Sequence, residues 1–295
     1  MPIGGSQRIL PPMPCSPTLP SLSVLASTLA SLAVVQADAA KPQTIFSPHY
    51  RMWTSAPAPR AKLALEATEA LHERWHSWVG DIGRIDTTHH KLRMYASRRE
   101  MRQDIPGMGW AEAFYNGEEC LQYDDPTAEH PFQWLLHEAT HQLAAEDTHL
   151  KLPRWANEGL AELFGVARIL PDSRKRMELR LGSMYPDTYP LWWLPRFQLS
   201  GNMASDLREG KIVLPTTILQ EPETVDISNS LNQHYLAWLC MAHLFHSTDS
   251  SAWKMWVLTD GTDEGLMKAF GPRSTLDARW YAHMMKLSDS ANAKK

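Results

Sequence analysis

Residues 137–141 read His-Glu-Ala-Thr-His, and residues 152–162 read Leu-Pro-Arg-Trp-Ala-Asn-Glu-Gly-Leu-Ala-Glu. The first stretch has the pattern H-E-x-x-H. On an α-helix, residues four apart lie on one face, with Cβ atoms about 5–6 Å apart. His137 and His141 placed in this way can share one Zn²⁺ at about 2.0–2.1 Å from each ring. Glu138 would then accept a proton from a zinc-bound water, whose pKa the metal lowers to about 7.

The residues around this pentad indicate a helix that is buried in a core. Pro131 is suited to its first turn. The alternative is a helix with two unrelated histidines, and the second stretch argues against it because it supplies a further ligand. The apolar residues around the pentad are Phe132, Trp134, Leu135, Leu136, Ala139, Leu143 and Ala144.

A catalytic zinc site needs a third protein ligand and an open fourth position. Asp147 is one candidate, but it would need a tight turn, usually at a glycine, where this chain has Ala144. Glu158 and Glu162 lie four residues apart on a second predicted helix. Glu158 would reach the metal, and Glu162 would accept a hydrogen bond from the free ring nitrogen of a zinc-bound histidine. A solvated helix face is the alternative for both, but both fall in an apolar run.

The two stretches together resemble the gluzincin zinc metallopeptidases. They are most similar to the peptidase MA-like group of secreted bacterial proteins, and the detailed similarity covers residues 137–162. It implies a zincin fold and one Zn²⁺ per chain, held by His137, His141 and Glu158, with Asn157 beside them. It also implies hydrolysis of peptide bonds in a peptide or protein substrate.

A predicted hairpin precedes the site helix. Two short strands between Ala111 and Tyr123 are joined by Asn116 and Gly117, a strong turn signal. The resemblance implies that one strand is a sheet edge that pairs with an extended substrate, and the alternative is a hairpin without a ligand. Gluzincin aminopeptidases carry Gly-x-Met-Glu-Asn here, whereas residues 109–113 read Gly-Trp-Ala-Glu-Ala. An endopeptidase is therefore favoured.

Other polar side chains near these motifs are weaker candidates for contacts in the site. Glu112 and Glu119 are candidates for contacting a substrate. His130 and His149 flank the site helix and would line a cleft. His90 follows another histidine before a predicted strand, and we expect both at the surface.

Peptide hydrolysis passes through an oxyanion, which a nearby donor stabilises. Gluzincins often take that donor, a Tyr or His, from their C-terminal half. Tyr235 opens a predicted apolar helix and resembles the tyrosine that begins a helix in the MA-like group. Tyr235 is therefore the first candidate and His234 the second. The alternative is that Tyr235 is a core aromatic residue.

Residues 1–40 are predicted to be a signal peptide. Arg8 precedes an apolar run at residues 22–35, and small residues follow. The run is too short to span a bilayer. A disordered lead is the alternative. Cys15 lacks the context of a lipid anchor. Cleavage would give a secreted or periplasmic protein without a transmembrane segment.

The net charge of −4 without any basic block argues against nucleic-acid binding.

The expected fold is α+β. With 295 residues, 43% of them hydrophobic, the chain can form one large or two modest domains. Residues 41–170 are predicted to form an α/β lobe ending in the two motif helices. A helical lobe at residues 171–287 and a disordered tail at 288–295 would follow, with the zinc site between the lobes. In the second lobe, residues 171–180 are predicted to be a linker or helix extension, and 185–195 a loop over the cleft. Cys120 and Cys240 are either separate buried thiols or a disulfide.

The function predicted from these observations is that of an exported zinc peptidase, with Glu138 as general base. One alternative is a catalytically silent binding protein on a peptidase scaffold. The complete set of two histidines and two glutamates argues against it, because a silent site does not need Glu138. The other alternative is a zinc amide hydrolase that acts on cell-wall material.

Overall fold

The computed structural model describes residues 41–80, 89–108, 111–128, 130–171, 177–180 and 198–292. The predicted signal peptide and the predicted loop over the cleft at residues 185–195 lie outside the described residues. The fold combines a small five-stranded sheet with a mostly helical remainder, as an α+β chain would.

The sheet has the strand order β1-β2-β3-β5-β4. Strands β2, β3 and β5 run parallel to one another, whereas β1 and β4 pair antiparallel at the two edges. The strands are β1 (Gln43–Phe46), β2 (Tyr50–Thr54), β3 (His90–Tyr95), β4 (Ala113–Tyr115) and β5 (Glu119–Tyr123). The predicted edge within residues 111–123 is thus β4. The sequence did not predict β1, whose residues are largely exposed and therefore lack the alternation of a half-buried strand.

Four helices accompany the sheet in the first half of the described chain. They are α1 (Ala58–Val79), α2 (Arg98–Asp104), α3 (Gln133–Glu146) and α4 (Arg154–Gly165). Helix α1 connects β2 to the parallel strand β3. Helix α3 begins two residues after Pro131, so the expectation that Pro131 lies in its first turn was wrong. A turn in which the Gln133 amide bonds to the His130 carbonyl precedes the helix instead.

Two predictions for the second half were wrong. Strands β6 (Arg168–Pro171) and β7 (Met177–Arg180) pair antiparallel where a linker or helix extension was predicted. The pairing is a contact between segments, which the periodicity of either segment alone does not reveal. The last helix reaches Asn292, so residues 288–292 are helical and not a disordered tail.

The other regular elements that the structure describes in the second half are helical. Its helices are α5 (Met203–Arg208), α6 (Pro215–Ile218), α7 (Leu231–Thr248), α8 (Ser250–Met255), α9 (Asp263–Phe270) and α10 (Arg273–Asn292), with a π-helical turn at Trp256–Asp260 between α8 and α9. None of the helices among the described residues is both long and apolar enough to cross a membrane.

One hydrophobic core joins the two predicted lobes. The rings of Trp75 on α1 and Phe164 on α4 are 5.6 Å apart, and Trp155 on α4 packs against Phe245 on α7 at 6.1 Å. Helix α4 is therefore held between the sheet-bearing half and α7. Cys120 and Cys240 are both buried and free, so they do not form a disulfide.

Candidate metal centre

Helices α3 and α4 bring His137, His141 and Glu158 together. The Nε2 atoms of the two histidines are 3.2 Å apart. Oε2 of Glu158 lies 3.3 Å from Nε2 of His137 and 3.7 Å from Nε2 of His141. Two nitrogens and one carboxylate oxygen from two helices thus converge on one point.

The separations fit a zinc ion. A tetrahedral Zn²⁺ with ligands at about 2.0–2.1 Å holds its ligand atoms about 3.3–3.4 Å from one another, and the observed separations are 3.2, 3.3 and 3.7 Å. Oε2 of Glu158 is buried and has no hydrogen-bond partner among the described residues. A buried carboxylate oxygen without a partner is costly, and a cation would compensate it. The donor set therefore fits the metal.

Glu162 lies behind His137. It is 1% exposed, and its Oε1 is 3.4 Å from Nδ1 of His137. The two ring nitrogens of His137 therefore face different glutamates, with Nε2 toward Glu158 and Nδ1 toward Glu162. In metal sites a carboxylate at the second nitrogen fixes the tautomer and orientation of the ring. Asn157 lines the same cleft.

Glu138 is held by the edge strand. Its Oε2 accepts a 2.8 Å hydrogen bond from the main-chain amide of Tyr115 on β4. The side chain of Tyr115 bonds in turn, through its hydroxyl, to Oε1 of Glu146 at the end of α3 at 3.0 Å. Tyr115 thus connects the edge strand to the site helix at two residues, Glu138 and Glu146.

These residues line an open cleft of about 430 Å³. Tyr235 on α7 also lines it, with its ring centroid 6.4 Å from that of His137. His234, the second candidate for the oxyanion donor, is directed elsewhere, because its Nε2 lies 3.1 Å from Glu221. The lining residues are Tyr115, His137, Glu138, His141, Ala144, Ala145, Leu150, Lys151, Leu152, Asn157, Glu158 and Tyr235.

The charges of the site keep the carboxylate of Glu158 ionised and the hydroxyl of Tyr235 protonated. Burial opposes the charge of Glu158, but His137 and His141 outweigh it and lower the pKa of Glu158. Burial likewise opposes a charge on His137, and the neighbouring Glu158 and Glu162 raise its pKa. Burial and the three nearby glutamates raise the pKa of Tyr235, which keeps its proton and can donate it in a hydrogen bond.

Close packing on α7 fixes the position of Glu158. A Cβ atom on the adjacent Gly159 would lie 2.6 Å from the carbonyl oxygen of Trp238, so only glycine permits this approach. The start of α4 is held as well, because the Arg154 amide donates to the carboxylate of Glu223 at 3.1 Å. Glu158 therefore projects from a helix that is anchored on two sides.

Asp147, the other candidate for the third ligand, lies away from the cleft. Helix α3 continues to Glu146 without the tight turn that such a ligand needs. Six residues of α-helix rotate a side chain by about 600°, which leaves it about 240° around the axis from His141. Asp147 contacts His76 and His90 instead, at 2.9 and 3.2 Å.

Four further candidates do not line this cleft. Nε2 of His130 lies 2.9 Å from the carbonyl oxygen of Gly165. Glu112 contacts Tyr123 and Arg98, and Glu119 pairs with Arg93. His149 adopts a left-handed backbone conformation in the loop that follows α3. The expectation that His90 lies at the surface was wrong, because it is 3% exposed.

Sequence reasoning did not single out two polar residues of the cleft, Tyr115 and Lys151. Tyr115 contributes its main-chain amide, and its place on the first strand of the hairpin that precedes the site helix is the signal that points to it. Lys151 lies in the loop between the motif helices and brings a cation to the cleft. The sequence carries no signal for Lys151, because nothing local determines where a loop side chain points.

Comparison of the chain with protein-family models and with curated proteins found no match. The functional interpretation therefore rests on the residues of the site.

Proposed function

We propose that this chain is a zinc metallopeptidase with a gluzincin-like site and fold. The observation that supports the proposal is the convergence of His137, His141 and Glu158, whose ligand atoms lie within 4.8 Å of one another. Glu138 lies beside them in the same cleft. Two imidazoles, a carboxylate ligand and a separate carboxylate base form the set that metal-assisted hydrolysis requires.

His137, His141 and Glu158 would hold the ion. When bound, Zn²⁺ lowers the pKa of a water ligand and polarises a carbonyl group. Glu138 takes the proton of the attacking water and later delivers it to the leaving amine. The Tyr115 amide keeps Oε2 of Glu138 in place for this transfer. Tyr235, which retains its proton, donates a hydrogen bond to the developing oxyanion.

Strand β4 would bind the substrate as an additional strand. The Asn116 amide bonds to the Glu119 carbonyl, and hydrogen-bonded pairs alternate along an antiparallel ladder. The main-chain groups of Phe114 therefore form hydrogen bonds with β5, while those of Ala113 and Tyr115 point to the open edge. The bond from the Tyr115 amide to Glu138 agrees with this register. An extended peptide on this edge would pass beside the base.

The decisive experiment measures metal content and cleavage together. Full-length protein purified without added metal is analysed for zinc and incubated with a diverse peptide mixture, whose cleavage is followed by mass spectrometry. We expect zinc to be bound through Glu158, activity to be lost on chelation, and zinc to restore it. The Glu158→Ala variant should lose this zinc and all activity.

The other outcomes separate the alternatives. Zinc bound at Glu158 without cleavage of any peptide would favour a binding protein on a peptidase scaffold. Cleavage of cell-wall fragments alone would favour an amide hydrolase. A protein in which Glu158→Ala changes neither zinc content nor activity would refute the site itself.

A further inference from the structure

A second cluster of histidines and carboxylates lies at the far end of the site helix. It is formed by His72 and His76 on α1, His90 at the start of β3, and Asp147 at the end of α3. His90 is 3% exposed and Asp147 is 2% exposed. No sequence motif connects these residues, and none of them lines the cleft described above.

The ligand atoms of His72, His90 and Asp147 lie within 4.8 Å of one another. Nε2 of His90 is 3.2 Å from Oδ1 of Asp147, and Nε2 of His72 is 3.9 Å from Oδ2. Two imidazole nitrogens and a carboxylate oxygen are the same donor set as in the first site, and they suit Zn²⁺ or a similar divalent transition metal.

A carboxylate lies at the outer nitrogen of His90, as Glu162 lies at that of His137 in the first site. Nδ1 of His90 lies 2.6 Å from Oε2 of Glu146, so the ring has one carboxylate at each nitrogen. His76 contacts Oδ2 of Asp147 at 2.9 Å. A carboxylate on the outer nitrogen of a ligating histidine and a hydrogen bond to a ligating carboxylate are typical of metal sites.

Two buried polar atoms point to a missing partner. Oδ1 of Asp147 has no hydrogen bond among the described residues, although His90 lies close to it. The hydroxyl of Tyr50, a residue that is 0% exposed, also has none. The ring of Tyr50 packs 5.3 Å from that of His90 and 6.2 Å from that of His72. Buried polar groups rarely lack partners without a reason.

The geometry points to a second divalent-metal site, in which His72, His90 and Asp147 are the ligands and His76 and Glu146 orient them. The role of this ion is structural. It joins α1, β3 and the end of α3, and Glu146 connects it to the edge strand through Tyr115. The inference does not depend on the peptidase proposal.

The test counts metal ions in full-length variants whose folding is checked by circular dichroism. The double variant His137→Ala/His141→Ala removes the first site. We expect it to retain one Zn²⁺ per chain, and Co²⁺ to give it the visible absorption of a tetrahedral ion. Adding His90→Asn should weaken this binding by more than about 100-fold, because even the loss of an outer partner weakens binding by about 10–100-fold. His89→Asn, at the exposed neighbouring position, should leave it unchanged.

Asp147→Asn in the same double variant provides a second measurement if His90→Asn does not fold. The rival interpretation is a protonated His90 that bridges Glu146 and Asp147 without a metal. In that case the double variant binds neither Zn²⁺ nor Co²⁺, and the inference is overturned. Because metal ions are counted in a variant that lacks the first site, the result does not depend on whether the protein is a peptidase.

Discussion

The main-chain amide of Tyr115 donates a 2.8 Å hydrogen bond to Oε2 of Glu138, so the edge strand holds the residue that we propose as general base. Tyr115 and Glu138 lie on different elements, the strand β4 and the helix α3. Any shift of the edge strand relative to the helix would therefore move the base. This relationship couples the proposed substrate-binding edge to the proposed proton transfer.

Replacing Glu138 with Gln tests the base. The amide oxygen of Gln can still accept the bond from Tyr115, so we expect normal folding and zinc content. The rate constant kcat should fall about 10²–10⁴-fold, the usual contribution of a general base. Glu118→Gln, at the exposed turn of the same hairpin, is the matched control and should remain fully active. Loss of zinc from the Glu138 variant would count against the assignment.

Substitutions of Glu158 and Glu162 should differ in how strongly they lower the affinity for zinc. Glu162→Gln changes the partner of His137 but keeps the ligands, so we expect zinc affinity to fall about 10–100-fold. Glu158→Ala removes a ligand and should weaken binding further. Competition with a chromophoric chelator measures both. Equal effects of the two substitutions would contradict the different roles proposed for these glutamates.

The Tyr235 hydroxyl is expected to act on the transition state. Tyr235→Phe keeps the ring, so stability and zinc content should hardly change, whereas kcat should fall about 10²–10³-fold. Tyr281→Phe serves as control, because its hydroxyl bonds to Asp206 away from the cleft. That variant should lose stability without a matching loss of kcat/KM. If Tyr235→Phe has full activity, Tyr235 is a core aromatic residue.

Gly159 is expected to be required for stability and for the site. In Gly159→Ala the new Cβ would clash with the Trp238 carbonyl at 2.6 Å, which forces α4 away from α7. Overpacking of this kind costs about 1–3 kcal/mol of unfolding free energy. Zinc affinity should fall as well, because Glu158 moves with the helix. Gly107→Ala, where nothing lies within 4 Å of the new atom, should be neutral. Chemical denaturation and metal titration measure the two effects.

Acid should destabilise the contact between α7 and α10. Nδ1 of His243 and Nε2 of His283 are 2.7 Å apart. Burial, mainly, lowers the pKa of His243 to about 3 and that of His283 to about 4, from an ordinary 6.5. Between these pKa values and the ordinary 6.5, the unfolded chain therefore binds protons at His243 and His283 that the folded chain does not bind. The free energy of unfolding should fall as the pH drops from 6.5 toward 4.

The variant His283→Gln isolates this effect. Gln can still bond to His243 but does not titrate, so the uptake of protons on unfolding should fall by up to one proton per chain. Urea denaturation at several pH values between 4 and 7 measures the slope. Replacing the exposed His89 in the same way should not change it. A His283 variant with the wild-type slope would contradict the prediction.

The sequence by itself determined the features that local interactions specify. The buried apolar residues of α1 (Ala58–Val79), among them Leu71, Trp75 and Trp78, recur near the 3.6-residue period of a helix, so their spacing alone indicates this element. Asn116 and Gly117 predicted the hairpin, and Gly117 has the positive φ of 90° that favours glycine. The spacing of His137 and His141 placed both on one helix face, because four residues make about one turn.

Only the tertiary structure decided which side chains meet across elements. Spacing left Asp147 and Glu158 both open as third ligand, and the packing of Gly159 on Trp238 sets the position of the helix that brings Glu158 to the histidines. The pairing of β6 with β7 and the approach of His72 to His90 are likewise contacts between distant residues. Periodicity reports which face of an element is buried. It does not report which other element covers that face, because that depends on packing across the whole core.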